Sequence, residues 1–180
     1  MQKLSAAELL AQYAEGKRNF SEVDLSEVNL FEANLSRIDL QGSLLCRTYL
    51  PYANLSQANL QQAQLQEAEM GNVQLYQANL ADADLQGADL SRTNLRNANL
   101  QRANLTGANL QNADLCNADL RSAQLNDADL SRSNLQQANL EGAYCSGSNF
   151  HYARNVDYAN AYLDRRTVYP DGYRNSGEQP

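Results

Sequence analysis

The sequence predicts an all-β solenoid, on three observations. From Arg18 to Phe150 the chain repeats every five residues without an insertion. The centre of each pentad is apolar: Phe20, Leu25, Leu30 and so on to Leu140, Cys145 and Phe150, with Met70 the one other exception to Leu among 27 pentads. Two residues before most centres stands a small residue such as Ala33, Ala53, Ala58, Ala63 or Ala68, usually followed by Asn or Asp. Self-similarity of this kind sets the architecture before any local propensity does.

Period five excludes the two regular elements. On an α-helix five residues turn about 500°, so the leucines would scatter around the axis. On a straight strand, with a side-chain period of two, successive leucines would point to opposite faces. Every fifth residue faces inward only if the chain changes direction once per pentad. Coils of such a chain stack through backbone hydrogen bonds, and each buries its core against its neighbours. The period alone leaves the number of sides per coil open.

Each end of the repeat has its own signals. Ser5 followed by Glu8 reads as a capping box, and Gly16 as a helix stop. Leu4, Leu9, Leu10 and Tyr13 have spacings that permit one apolar face, so residues 5–15 predict a helix seated on the first coil. The expected organisation is a helical cap over 1–17, the repeat over 18–150, an irregular final coil and cap over 151–173, and a disordered tail over 174–180. After Phe150 the register fails. A shifted phase through Tyr158, Leu163 and Val168 reads as three inserted residues, and Pro170-Asp171-Gly172 as a closing turn.

The pattern A-(D/N)-L-x-x resembles the pentapeptide-repeat family over about three quarters of the chain. That resemblance implies a right-handed quadrilateral β-helix, with 20 residues per coil and a rod about 30 Å long at the strand spacing. The string "ELLAQYAEGKRNF" (Glu8–Phe20) resembles the leader of cyanobacterial members, a group that includes an inhibitor of heterocyst differentiation. Other members protect or inhibit DNA gyrase as acidic DNA mimics.

Composition narrows the function. The formal net charge is -7, which argues against direct nucleic-acid binding. No stretch has the continuous apolar run of a signal peptide or a membrane helix, so the expected location is cytoplasmic. Three cysteines, Cys46, Cys116 and Cys145, form neither a disulfide framework nor a zinc pattern, and His151 is the sole histidine. Recurrent carboxylates such as Asp84, Asp89 and Asp114 follow the repeat, which is not the divergent pairing of acid–base catalysis. The reading is a cofactor-free, non-enzymatic scaffold that binds a protein partner; the alternative is a DNA mimic acting on gyrase or topoisomerase. Arg92, Arg96, Arg102, Arg121 and Arg132 interleave with the acids, so no wall is uniformly negative.

Two candidate surfaces stand out. In "LLCRTYLPYANL" (Leu44–Leu55) the centres Leu45, Leu50 and Leu55 are intact, but outward positions are apolar. With 20-residue coils, Phe31 stacks beside Pro51, and Phe31, Pro51 and Tyr52 share a wall with Tyr49 round the corner. Together with Leu44 they form a contact patch or are covered by a neighbouring segment. Six of the ten tyrosines lie at or beyond Tyr144. Tyr144, His151, Tyr152 and Tyr158 either plug the last coil or form an end-to-end dimer, leaving monomer and homodimer both open.

Overall fold

The computed structural model of the chain describes residues 1–174. Regular strand is sparse. β1 (Gln2–Lys3) pairs in parallel with β2 (Val23–Asp24), and α1 (Ala6–Ala14) lies between them in sequence. Beyond these elements, single parallel bridges hold the chain. Asn34 pairs with Asn54, Asn54 with Gln74 and Gln74 with Asn94, each partner 20 residues on. Four pentads therefore separate one residue from the residue stacked on it.

One pentad shows why this backbone is stable. Asn54 N–H donates to Ala33 O at 2.9 Å, Leu55 N–H to Gln74 O at 2.8 Å and Gln57 N–H to Tyr76 O at 2.8 Å. Ala58 N–H closes a turn on Leu55 O at 3.0 Å. Ser56 N–H donates to Asn54 Oδ1 at 3.0 Å. All five donors are satisfied, as a stacked backbone requires. The last of these bonds is an Asx turn, and it explains the Asn or Asp before most centres. The side-chain amides then run up the wall as ladders: Asn79 Nδ2 donates to Asn59 Oδ1 at 3.3 Å, and Asn99 Nδ2 to Asn79 Oδ1 at 3.0 Å.

The change of direction falls two residues after each centre. From Glu22 to Tyr152 every such residue has φ between 54° and 71°. A turn with positive φ at its third residue alone has the type II signature. Five of the six glycines of the repeat, Gly42, Gly87, Gly107, Gly142 and Gly147, sit at this position, and no β-branched residue does.

The centres from Phe20 to Phe150 are buried, with the small residues beside them. Ile38 and Val73 are buried in the small-residue column, while Val28 is half-buried. Polar residues in that column keep their hydroxyls satisfied: Thr48 Oγ1 donates to Leu25 O at 3.0 Å, and Thr93 Oγ1 to Met70 O at 2.9 Å.

At the N-terminal end Ser5 caps α1 through a complete capping box. Leu4 and Leu9 are buried, and Tyr13 Oη donates to Ser36 O at 2.8 Å. Leu10 departs from the expected apolar face, because the helix turns it to solvent.

The C-terminal phase shift is a deletion. Asn134 still pairs with Arg154, but Tyr144 pairs with Tyr162 and Asn149 with Val168. Relative to the 20-residue register, the final coil first loses two residues and then regains one. Three inserted residues and two deleted ones give the same phase modulo five, so the sequence pattern did not separate them. Val168 occupies the bridging position rather than a centre, which passes to Tyr169. The turn at Pro170–Gly172 folds the chain back, and Arg174 pairs antiparallel with Val168. The expected tail thus begins with a paired residue, and its remainder, 175–180, lies outside the described residues.

Candidate interaction surface

The aromatic patch is built on an unbroken coil. Leu45, Leu50 and Leu55 are fully buried, and Leu50 N–H donates to Glu69 O at 2.8 Å. Tyr49 takes the place of the Asx acceptor, and Pro51 follows where the donor N–H would be. The two departures compensate, since proline has no N–H to satisfy and its fixed φ suits the second residue of a type II turn.

Phe31 joins the cluster from the coil before. Its ring stacks on Tyr49 with centroids 6.1 Å apart and meets Tyr52 edge-on at 5.9 Å. Phe31, Tyr49 and Tyr52 are 46%, 37% and 57% exposed. Pro51 is half-buried between them and Gly71. Leu44 is not part of the cluster: it sits one pentad earlier, on the adjacent wall, bridged to Asp24 and Gln64.

The same columns place carboxylates around the rings. Glu69 pairs with Tyr49, and Glu32, the residue after Phe31, donates its N–H to Pro51 O at 3.0 Å. At the opposite edge Arg47 lies between Glu27 and Glu67, at 3.6 and 3.4 Å. Column reading at 20-residue spacing finds Glu69, a position that the pentad pattern by itself leaves unremarked.

The C-terminal residues divide. Tyr158 lies between Phe150 and Tyr169, edge-on to both at 5.4 Å. Burial raises its hydroxyl pKa, and the oxygen has no hydrogen-bond partner. Tyr144 stacks on Tyr162 at 5.0 Å on the exposed surface. His151 stacks on Tyr152 at 4.0 Å, with the Arg132 guanidinium 5.9 Å from the Tyr152 ring.

Most of the expected arginine series is paired. Arg102 holds both oxygens of Asp82 at 2.7 Å, Arg121 holds Asp119 at 2.7 Å, and Arg96 reaches Asp114 at 3.2 Å. The hydrogen bonds from Arg102 keep Asp82 below the usual carboxylate range. Cys145 is fully buried, which pushes its thiol up to about 12 and leaves little nucleophilic thiolate. Among the described residues, no helix is long and apolar enough to cross a membrane.

A core filled by leucine and a surface of stacked columns define a repeat scaffold protein. The repeat matches the family described as Pentapeptide repeats, in 8 copies over residues 18–47, 29–65, 38–74, 58–97, 98–137 and 128–161. The chain belongs to that family. Among solved structures it is similar to HetL, a pentapeptide repeat protein involved in heterocyst differentiation regulation in the cyanobacterium Nostoc. The match has 30% identity over 96% of this chain and 100% of HetL, with a TM-score of 0.40. It is also similar to a trypsin-treated form of QnrB1, a plasmid-mediated fluoroquinolone resistance protein. That match has 21% identity over 81% of this chain and 79% of that one, with a TM-score of 0.59, and speaks to the fold alone. A thylakoid lumen pentapeptide repeat protein of Arabidopsis thaliana matches at 27% identity over 64% of this chain and 70% of its own, with a TM-score of 0.43. No curated protein matches.

Proposed function

We propose that this protein is a non-enzymatic, rigid scaffold that binds a protein partner through the face carrying Phe31, Tyr49, Pro51 and Tyr52. The observation that carries this reading is an exposed aromatic cluster on a coil whose core and inter-coil bonds are intact. Aromatic side chains are enriched at interfaces, and contiguous apolar patches on polar surfaces mark contact sites. The rod is a right-handed quadrilateral β-helix, as the family implies, capped over 1–17 by the helix and over 151–173 by the irregular last coil. It works in the cytoplasm without a cofactor. The resemblance of the Glu8–Phe20 leader to the heterocyst-inhibitor group supports a regulatory role.

The DNA-mimic alternative needs a wall that presents repeated unpaired charge. Arg96, Arg102 and Arg121 neutralise acids on the middle coils, which favours the scaffold reading. The test is a pull-down from the source organism with the wild-type chain and a Tyr49→Ser/Tyr52→Ser variant. The expected result is a partner captured by the wild type and lost from the variant at unchanged thermal stability. Equal capture by both would refute the assignment of this face. Inhibition of gyrase supercoiling by both chains alike would favour the mimic.

A further inference from the structure

The character of the partner follows from what surrounds the rings, and this inference rests on the scaffold reading. Over the first three coils, the wall bearing Phe31, Tyr49 and Tyr52 carries Glu27, Glu32, Glu67 and Glu69 against one base, Arg47. Arg47 already lies between Glu27 and Glu67. Among the described residues, Glu32 and Glu69 make no ion pair. Each stands in a column with a ring: Glu69 is bridged to Tyr49, and Glu32 stacks on Tyr52 through the twenty-residue register. Other acids of the repeat are held by arginines, as Asp82, Asp114 and Asp119 are, or accept from side-chain amides, as Asp84, Asp89 and Asp129 do.

Aromatic faces attract cations through their quadrupole, and a guanidinium combines stacking with hydrogen bonds to carboxylates. The chain uses this contact twice within itself: the Arg18 guanidinium lies 3.9 Å from the Tyr13 ring centroid, and that of Arg132 lies 5.9 Å from Tyr152. At the patch the rings and carboxylates are present without the cation. We propose that the face formed by Phe31, Tyr49, Tyr52, Glu32 and Glu69 takes an arginine-bearing, extended basic segment of a partner protein. Its guanidinium groups stack on the exposed rings and pair with the two carboxylates. Charge complementarity selects this occupant: an acidic or purely apolar segment would meet the same carboxylates unpaired.

The probe is fluorescein-labelled hexaarginine, titrated with the intact chain and followed by fluorescence anisotropy, with hexalysine in parallel. Three variants accompany the wild type: Tyr49→Ser/Tyr52→Ser, Glu32→Gln/Glu69→Gln and, at the other end of the rod, Glu141→Gln/Asp157→Asn. The expected result is that the first two each weaken hexaarginine about tenfold, as loss of one or two cation contacts implies. The third leaves it unchanged, and hexalysine binds more weakly than hexaarginine. Equal weakening by all three variants means diffuse attraction to net charge and overturns the proposal. So does the absence of hexaarginine binding, or hexalysine binding as tight. The glutamine pair keeps the test open if the serine pair perturbs the coil. In the pull-down above, a partner whose contacting segment lacks Arg and Lys overturns this inference and leaves the scaffold reading standing.

Discussion

The pairing of Tyr49 with Pro51 makes a quantitative prediction. In the same column Asn29 accepts from Phe31 N–H at 3.0 Å and Asp89 from Ser91 N–H at 3.0 Å. At Leu50 both halves of this bond are missing. Pro51→Ser alone creates an N–H without its acceptor and frees φ in the unfolded chain, a loss of about 0.4–1 kcal/mol. Tyr49→Asn alone creates an acceptor without its donor and removes the stacking on Phe31. The double variant regains the Asx turn, a neutral hydrogen bond of about 0.5–1.5 kcal/mol. The ring loss and the proline entropy enter both sides of the double-mutant cycle and cancel, so the coupling energy isolates the bond. Chemical denaturation of the four proteins measures it. Favourable coupling near 1 kcal/mol is expected. Additivity within about 0.3 kcal/mol would refute the claim that proline and tyrosine compensate each other.

Other outcomes follow from the same geometry. Gln57, at φ 60°, should tolerate Gly with no loss of melting temperature, whereas Gln57→Val should cost roughly 1–3 kcal/mol in denaturation. Leu85→Ala should cost about 2–5 kcal/mol, because the centre is fully buried, while Leu10→Ala should lie within about 0.5 kcal/mol of wild type. Gly147→Ala should loosen the last coil, since an added Cβ would collide with Asp127 and Arg166, which are paired at 2.8 Å; amide exchange at Thr167 would report it. Burial acts to raise the pKa of Asp164, but the N–H groups of Gly147 and Arg166 and the Arg166 guanidinium outweigh it and hold the group at about 2 against an ordinary 3.8. A depressed folded pKa stabilises above the unfolded value and loses that stabilisation as pH falls. The protection of the Gly147 amide, taken relative to the intrinsic exchange rate at each pH, should therefore fall between about pH 4 and 2, and Asp164→Asn should remove that dependence.

The solenoid was legible because one residue in five carries the core and nothing interrupts it. Handedness and side number are not encoded in that period, since any closed coil of direction-changing pentads satisfies it. The cap helix was legible from Ser5 and Glu8, but the exposure of Leu10 was not: apolar spacing says which residues can share a face, not which of them the first coil leaves room to cover. The last coil was legible only modulo five. At the patch, periodicity placed Phe31 beside Pro51 with Tyr49 round a corner; the chain in fact turns at Arg47 and Tyr52, so Tyr49 lies on the same side and stacks on Phe31. It also removed Leu44, whose apolar character had suggested membership although its column faces another wall.

The five positions of a pentad are not equally free to carry a message. The centre and the small residue fill the core. The residue before the centre supplies the Asx acceptor, and the residue two beyond it must tolerate positive φ. The residue directly after the centre lends the turn only its N–H, which leaves its side chain the least constrained of the five. Phe31 occupies that free position, and Tyr52 a position that excludes only β-branched side chains. Tyr49 gives up a turn-forming acceptor, as Leu44, Glu69 and Tyr144 also do, but among these it alone is followed by proline at the next outward position. With proline there, no N–H is left in need of an acceptor, and the exposed ring is carried without an unpaired donor in the turn. Tyr49 stacks on Phe31 within the patch while Leu44 belongs to another column, so binding should depend more on Tyr49 than on Leu44.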